Sequence, residues 1–518
     1  MALLAIQRIT HALCAIATCA FALACKRQPP PDHGPDLQFV SEALRPRATD
    51  SLPRTSPFFD GTKVTLVAAR GETVGFQVLA RNPAPTSLLI KANGVTVRTW
   101  STLPAQVKRS STKGMYGETR GTGSYRDVLV PVTQSDATPD KGTGYLFELV
   151  VARDADVGMF TGHVVIDHKW IPVELTIVDV TLPDAPPIVW AYYDPLELEW
   201  AKLGASTSGA PSEHEKRCVA LFRDYGVALL ADMTVATWPA RKDLLGDFPY
   251  VKVKLPEDPA QVGAEVRAWI EATAVSGKLP FAIPIDEPRK PDARAQVKAL
   301  SAAVREAGGG ASTFLYAVTA EPNPELGDAI DLYITLKAKR SDSYLRWTYN
   351  GAPPRAGTMV LDALSPGTRT WGWIAWRYNI PVWYVWEALY WHDRYNRKGA
   401  PLPGRALTLD DAISFDGGED HGNLDGVLAL PGDDAMPCRP TLRLAAIRRG
   451  LQDRQLIELA AHCKPEDTAK LVEQMVPRAL GDLPGKSAPG EGHPSWPTDD
   501  VDWERARRKL LELAAACK

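Results

Sequence analysis

The feature that most restricts the fold is a series of eight short apolar segments that alternate with polar or amphipathic stretches. The segments are residues 188–193, 227–231, 250–254, 280–285, 313–318, 332–336, 344–349 and 381–386. Strands that alternate with helices form a parallel sheet, and eight such units predict a (β/α)8 barrel. An open doubly wound sheet is the main alternative. No G-x-G-x-x-G follows the first segment, which disfavours a dinucleotide-binding sheet of that kind.

Residues 36–181, which precede the barrel, have a different pattern. They contain four strand-like segments, at 62–67, 74–79, 145–150 and 173–177. The last alternates apolar and polar residues with period two, and Gly, Pro and Asn separate the segments, which predicts an antiparallel β-sandwich. Adjacent prolines in 182–187 favour a linker. We therefore place a barrel at 188–460 and a helical C-terminal extension at 461–518.

The N-terminal residues 1–24 predict an export signal. Arg8 is followed by an apolar run that is shorter than a typical transmembrane helix. The signal ends in Ala24-Cys25, which resembles a bacterial lipoprotein signal in which Cys25 carries the lipid. Residues 25–35 include three consecutive prolines and would form a stiff tether. We expect a protein exported and lipid-anchored at a bacterial cell envelope, with an ordinary cleaved signal as the alternative.

The charge of the chain argues against one class of partner. Lys and Arg total 59 and Asp and Glu total 62, so the formal net charge is -3. Nucleic-acid binders usually carry a basic excess, so we expect no nucleic-acid partner and membrane contact through the lipid anchor only. We also expect no cofactor.

Four cysteines lie outside the signal and the anchor: Cys218, Cys438, Cys463 and Cys517. They form no CxxC pair, and no His spacing near them suggests zinc. A Cys463–Cys517 disulfide is compatible with an exporting compartment. The interpretation that we prefer is free buried thiols.

The sharpest local feature is an apolar segment that ends in Asp286-Glu287-Pro288. In parallel barrels the active site lies at the C-terminal ends of the strands. Two close carboxylates repel each other, so one tends to keep its proton near neutral pH, and a protonated Glu beside an ionised Asp suits glycosidic cleavage. The alternative is a helix start with Asp286 as its N-cap and Pro288 in the first turn.

Other aromatic and polar residues gather at predicted strand ends. Seven of the 15 tryptophans lie between Trp347 and Trp391. Aromatic faces pack on sugar rings and polar side chains bind hydroxyls, although a single Trp is more often a core residue. The expected substrate-binding residues are Tyr193, Asp232, Tyr349, Asn350, Arg369, Trp373, Trp386 and Glu387.

A Gly-rich loop carries Asp416, Glu419, Asp420 and Asp425. Calcium binds such oxygens, but the spacing does not match an EF-hand loop. We therefore favour a solvated active-site loop and expect no metal.

Several short motifs occur in an order that resembles a known family. The motifs are residues 286–288, 347–351, 369–376, 386, 423–426, 430–432 and 443–453. On these motifs, the stretch 188–460 resembles the catalytic domain of glycoside hydrolase family 123, and residues 70–77 resemble its N-terminal sandwich. Relatives often have Gly where this chain has Leu424, and Tyr where it has Leu430, which puts the identity of the substrate in doubt.

The resemblance implies an exo-acting, retaining β-N-acetylgalactosaminidase in which the substrate supplies the nucleophile. Glu287 would be the general acid/base. Asp286 would orient the 2-acetamido group and stabilise the oxazolinium ion, and Tyr349 would donate to the acetamido oxygen. The alternatives are a two-carboxylate retaining glycosidase that uses Glu287 and Glu387, and a non-catalytic glycan-binding surface lipoprotein.

Overall fold

A computed structural model describes residues 37–517, except for 48, 51, 53, 81–85, 133–143, 167, 202, 205–208, 393–413, 417–419 and 484–491. The expected signal (1–24), Cys25 and the tether (25–35) therefore lie outside the described residues. Gln38–Lys518 form one compact unit. In the part of the chain that is described, no helix has the length and apolar character needed to cross a bilayer.

The first nine strands form two sheets. They are β1 (Leu37–Ser41), β2 (Val64–Arg70), β3 (Thr73–Ala80), β4 (Thr86–Ile90), β5 (Val95–Val107), β6 (Gly123–Pro131), β7 (Gly144–Val151), β8 (Gly158–Ile166) and β9 (Lys169–Thr181). One sheet has the order β1-β3-β7-β5-β6 and the other the order β2-β9-β8-β4. Alternate residues of β9 (Val173, Leu175 and Ile177) are buried, as the period-two pattern predicts. The sandwich is confirmed, with one parallel pairing, between β2 and β9.

The next eight strands form a parallel sheet that is nearly closed. They are β10 (Val189–Tyr192), β11 (Val227–Leu230), β12 (Tyr250–Lys252), β13 (Leu279–Ala282), β14 (Leu315–Val318), β15 (Leu332–Ile334), β16 (Arg346–Tyr349) and β17 (Trp383–Val385). The order is β11-β10-β17-β16-β15-β14-β13-β12, and a parallel bridge from Met233 to Val253 joins the two edges. Each predicted apolar segment overlaps one strand, so the barrel prediction is confirmed.

Two hairpins, ten α-helices and three short 3-10 helices (Lys242–Leu245, Gly327–Ala329 and Gly367–Arg369) complete the described elements. The hairpin strands are β18 (Ser414–Asp416), β19 (His421–Asn423), β20 (Ala429–Pro431) and β21 (Cys438–Pro440). The helices are α1 (Lys113–Tyr116), α2 (Leu196–Trp200), α3 (Glu213–Asp224), α4 (Trp238–Arg241), α5 (Pro259–Thr273), α6 (Pro291–Glu306), α7 (Thr370–Tyr378), α8 (Leu442–Cys463), α9 (Pro465–Met475) and α10 (Asp500–Ala515). Helix α6 buries Val297, Leu300 and Val304 because these residues share one helical face.

Aromatic side chains fill the barrel. The Trp347 ring lies 4.7 Å from Tyr250 and 4.9 Å from Phe281, and Trp190 lies 5.1 Å from Phe281 (centroid distances). Most of the tryptophans in the dense 347–391 stretch are likewise buried. The interpretation of a single Trp as a core residue therefore holds for most of this stretch.

Helix α8 joins the barrel to the sandwich through buried ion pairs. Its Arg443 pairs with Asp127 of β6, and its Arg448 pairs with Glu148 of β7. A third arginine, Arg449, pairs with Glu72 immediately before β3. Because one buried charge left without its partner is costly, these pairs tie the position of α8 to the sandwich.

The four described cysteines form two disulfides, Cys218–Cys438 and Cys463–Cys517. Their Cα–Cα distances are 5.3 Å and 4.9 Å, within the usual range for disulfides. The preference for free buried thiols was therefore wrong. The first disulfide links α3 to β21 and was invisible in the sequence because its cysteines are 220 residues apart.

Candidate active site

A cleft of about 960 Å³ opens at the C-terminal ends of the barrel strands. Residues at or just past the ends of β10, β12, β13, β14, β15, β16 and β17 line it. This is the end of a parallel barrel at which active sites are built, because the loops after the strands converge there. The volume is that of a pocket for a small ligand such as a sugar.

Asp286 and Glu287 both line this cleft, in the loop between β13 and α6. Asp286 is exposed, and 38% of the Glu287 side chain is accessible to solvent. Helix α6 begins later, with Lys290 at its N-cap position. The alternative in which Asp286 caps a helix is therefore wrong, and both carboxyls face open space where a ligand can reach them.

Thr319, directly after β14, fixes the two acids relative to each other. Its hydroxyl oxygen accepts the backbone N–H of Glu287 at 2.9 Å, and the hydroxyl donates to Oδ1 of Asp286. The backbone of Glu287 has φ +42°, a left-handed conformation that is uncommon for a residue with a side chain. Thr319 was not among the site residues expected from the sequence. Its signal was its place immediately after a predicted strand.

Tyr349, the last residue of β16, lies on the other side of Glu287. Its hydroxyl donates to Oε1 of Glu287 at 3.3 Å. Burial, together with the negative charges of Glu287 and Asp286, raises the pKa of Tyr349 above its usual value, so the phenol keeps its proton and remains a donor. The exposed Arg289 forms an ion pair with Oε2 of Glu287.

Asn350 and Trp386 form part of the cleft wall. Oδ1 of Asn350 accepts the backbone N–H of Trp386 at 3.0 Å, and its carbonyl accepts from the Trp383 indole at 2.9 Å. These bonds hold the segment after β17 against the end of β16. Trp386 thereby presents its side chain to the cleft.

A buried acid, Asp425, also lines the wall, and its Oδ2 accepts from the Tyr116 hydroxyl at 2.8 Å. Tyr116 belongs to α1, in the region that precedes the barrel. Burial raises the pKa of Asp425 to about 6, although hydrogen bonds from the Tyr116 and Trp386 side chains and the positive charge of Arg443 lower it. We expected Asp425 in a solvated active-site loop; it lines the cleft but is buried rather than solvated.

Asp232 lies beside the cleft rather than in its lining. It forms an ion pair with Lys252, and the ammonium of Lys252 lies 4.8 Å from the centre of the Tyr192 ring. Lys252 and Tyr192 are the two members of this group that line the cleft. Asp232 therefore holds Lys252 in place and is not itself in the lining.

Two further expected substrate-binding residues lie away from the cleft. Tyr193 is buried and its hydroxyl donates to Glu215 of α3, because successive side chains of a strand point in opposite directions and Tyr192 takes the inward position. Glu387 is 1% exposed and its Oε1 accepts the backbone N–H groups of Ala388 and Leu389 at 3.1 and 3.2 Å. Neither side chain is placed to contact a ligand in the cleft.

Arg369 and Trp373 also lie in the interior. Arg369 is fully buried and pairs with Asp453 and Glu504 at 2.8 and 2.7 Å. The indole N–H of Trp373 donates to the same Asp453 at 3.0 Å. The expectation that these two residues bind substrate is therefore wrong. Arg369 binds side chains of α8 and α10, Trp373 binds a side chain of α8, and both have a structural role.

The described residues of the acidic loop contain no cluster of side chains that could bind a metal ion. Glu419 and the side chain of Asp416 lie outside the description, and Asp420 is exposed. The described residues contain no group of three or more His, Cys, Asp or Glu that could hold a metal ion.

Comparison with known proteins supports the fold. No family model matches the chain, and neither does any curated protein sequence. Among solved structures, a family 123 glycoside hydrolase from Clostridium perfringens superimposes with a TM-score of 0.61 at 11% identity, covering 92% of this chain and 98% of that chain. A glycosyl hydrolase family 2 member from Bacteroides cellulosilyticus covers 68% of this chain and 46% of its own at 11% identity, but its TM-score of 0.25 carries no weight.

The described strands and helices together define a (β/α)8 barrel that follows an N-terminal β-sandwich. More narrowly, the chain has the fold of family 123 glycoside hydrolases. The resemblance that the sequence motifs suggested is confirmed at the level of the fold.

Proposed function

We propose that this chain is a glycoside hydrolase, and that it acts as a retaining β-N-acetylhexosaminidase of the N-acetylgalactosaminidase type with help from the substrate. The observation that carries the proposal is the pair Asp286 and Glu287, held by Thr319 at the open end of a parallel barrel. The two acids are adjacent and both reach one sugar-sized cleft.

Glu287 is the general acid and base in this mechanism. In the first step it protonates the departing glycosidic oxygen, and in the second it takes a proton from the attacking water. General acid–base catalysis contributes about 10²- to 10⁴-fold in rate. The Tyr349 hydroxyl, which contacts Glu287 Oε1, keeps this carboxyl directed into the cleft.

Asp286 assists the internal nucleophile. The oxygen of the 2-acetamido group attacks the anomeric carbon as the leaving group departs, and a positively charged oxazolinium ion forms. Oδ1 of Asp286 is engaged by Thr319, so Oδ2 is oriented to accept the acetamido N–H and to stabilise the positive charge. Thr319 is thus a positioning residue.

The test uses nitrophenyl glycosides with and without a 2-acetamido group. We expect turnover of the N-acetyl-β-galactosaminide, inhibition by a thiazoline mimic of the cyclised intermediate, and a loss of about 10²-fold or more in kcat for Glu287→Gln. Glu321→Gln is the matched control, because Glu321 lines the same cleft but pairs with Lys337. Full activity of Asp286→Asn would count against substrate assistance.

The two alternatives have less support. A two-carboxylate mechanism needs Glu387 as nucleophile about 5–5.5 Å from Glu287. Glu387 instead binds backbone N–H groups in the interior. A non-catalytic glycan-binding protein remains as the outcome in which sugars bind but no glycoside of the panel is cleaved.

We also propose that the protein is exported and lipid-anchored through Cys25. The two disulfides support export, because such bonds persist in oxidising compartments and are rare in the cytosol. Incorporation of labelled palmitate into the wild type but not into Cys25→Ser would test the anchor.

A further inference from the structure

A buried acid, Asp425, lies in the cleft wall, and the proposed mechanism does not use it. We propose that Asp425 is a specificity-determining residue, which binds a free hydroxyl of the sugar, and that Tyr116 is its positioning residue. This inference rests on the proposed function and adds to it the kind of sugar that the site accepts. It concerns binding and discrimination, and leaves bond cleavage to Asp286 and Glu287.

The geometry around Asp425 is that of a constructed acceptor. The residue is 6% exposed, and it lines the same cleft as the catalytic pair. Tyr116 donates to Oδ2 at 2.8 Å, and the Trp386 side chain donates to the same carboxyl. The preceding residue is fixed from behind, because Arg443 donates to the carbonyl oxygen of Leu424 at 2.9 Å.

The stability of the fold does not explain an acid at this position. Among the described residues, no cation lies within ion-pair distance of Asp425, because the nearby Arg443 is committed to Asp127. Burial of a carboxylate without an ion pair costs folding free energy. Two donors from separate parts of the chain nevertheless hold it at the cleft. Functional sites are where such costs are retained.

The chemistry of a carboxylate defines the ligand. An ionised carboxylate only accepts hydrogen bonds, and it has room for about four. A sugar hydroxyl can donate to it, whereas a sulfate ester or a uronate carboxylate at the same position would be repelled. The site therefore selects a sugar that has a free, uncharged hydroxyl opposite Asp425.

The charge of Asp425 should make binding depend on pH. The groups that face it are the Tyr116 phenol from α1, the Trp386 indole after β17 and the Arg443 guanidinium from α8, and Asp362 and Asp420 add negative charge near Tyr116. Since the pKa of Asp425 is about 6, the carboxyl is ionised above that pH and protonated below it. The protonated form is a weaker acceptor, so KM should rise as the pH falls through about 6.

The first experiment compares wild type with Asp425→Asn on a nitrophenyl N-acetyl-β-galactosaminide and on analogues that each lack one ring hydroxyl. For the parent substrate we expect KM to rise about 10-fold or more, because a hydrogen bond to a charged group is lost. The analogue that lacks the hydroxyl bound by Asp425 should have a raised KM with the wild type, and Asp425→Asn should not raise that KM further. Asp420→Asn, an exposed acid nearby, is the control and should leave KM unchanged.

The second experiment separates positioning from simple structure. Tyr116→Phe removes a hydrogen bond that lowers the pKa of Asp425, so the rise in KM should move to higher pH. A merely structural role would lower activity without moving the pH profile. The inference would be overturned if the pH dependence of KM did not move in Tyr116→Phe. It would also be overturned if each analogue raised KM by the same factor in the wild type and in Asp425→Asn.

A binding measurement distinguishes this inference from the proposed function. The Kd of free N-acetylgalactosamine is measured by calorimetry for wild type and Asp425→Asn. Weaker binding in the variant without any wild-type turnover would leave the inference standing and remove the hydrolase proposal. If the wild type turns over substrate but Asp425→Asn has the same Kd and KM as the wild type, only the inference about Asp425 is overturned. That inference is also overturned if the wild type does not bind the sugar.

Discussion

Replacement of Arg443 by Met is the perturbation that best tests how the structure is held together. Arg443 and Asp127 are both fully buried, and Nε and one terminal nitrogen of the guanidinium contact both carboxylate oxygens at 2.9–3.2 Å. The other terminal nitrogen donates to the carbonyl oxygens of Met359 and Leu424 at 3.0 and 2.9 Å. One side chain thus satisfies a sandwich carboxylate and two carbonyls of the barrel region.

The expected loss follows from these contacts. Removing one partner of a buried ion pair costs about 3–5 kcal/mol, because the other charge is left without compensation. An unfolding entropy of about 2.1 cal/mol/K per residue gives about 1 kcal/mol/K for the compact unit Gln38–Lys518. Arg443→Met should therefore lower the Tm by about 3–5 °C when the unit unfolds cooperatively.

Differential scanning calorimetry checks this expectation against a surface pair. Arg505 and Asp502 form an exposed pair, so Arg505→Met should change the stability by no more than about 0.5 kcal/mol. The double variant Asp127→Asn/Arg443→Met should be more stable than Arg443→Met alone, because it leaves no buried unpaired charge. If Arg443→Met unfolds like Arg505→Met, or if the double variant recovers nothing, the argument from buried charge is refuted.

Three further predictions concern packing, pH and cross-linking. Gly372→Ala should cost about 1–3 kcal/mol in thermal unfolding, because a Cβ there would lie 1.8 Å from a carbonyl oxygen of α8, whereas Gly263→Ala, whose Cβ meets nothing closer than 3.5 Å, should not destabilise. Asp425→Asn should raise the Tm above pH 6 and leave it unchanged near pH 4. The pKa of Asp425 is raised from 3.8 in the unfolded chain to about 6 in the folded protein, so the wild type loses stability as the pH rises through that range. An unchanged difference in Tm across that range would contradict this. Cys463→Ser should lower the free energy of unfolding by about 2–4 kcal/mol, because a disulfide closing 54 residues is lost, and dithiothreitol should then have less effect than on the wild type.

The sequence was sufficient for the fold because its strands leave a local signal. Each buried barrel strand is a short apolar segment bounded by polar residues, and that pattern depends on neighbours in the chain alone. The acid pair was visible for the same reason, since Asp286 and Glu287 directly follow such a segment. Their common cleft was a consequence of parallel strand direction, which the barrel prediction already contained.

The remaining parts of the site depend on contacts between distant residues. Arg369 and Trp373 carry the residue types of a sugar site, but Asp453, which is far away in the chain, draws both into the interior. No local pattern distinguishes a buried arginine with a distant partner from one that binds a ligand. Tyr116 was missed for the matching reason, because its partner Asp425 is 309 residues away.

These long-range contacts bear on what the sandwich does. Tyr116 from the region before the barrel reaches Asp425 in the cleft, and Asp127 of β6 holds the arginine that fixes the carbonyl of Leu424. The part of the cleft wall that contains Asp425 is therefore held by side chains from the sandwich region as well as from the barrel. A barrel expressed without residues 37–181 would keep Asp286, Glu287 and Thr319 but lose Tyr116 and Asp127, which support Asp425 from the sandwich region. It follows that such a fragment, were it to fold, should lose discrimination between hydroxyl positions before it loses the chemistry of the acid pair.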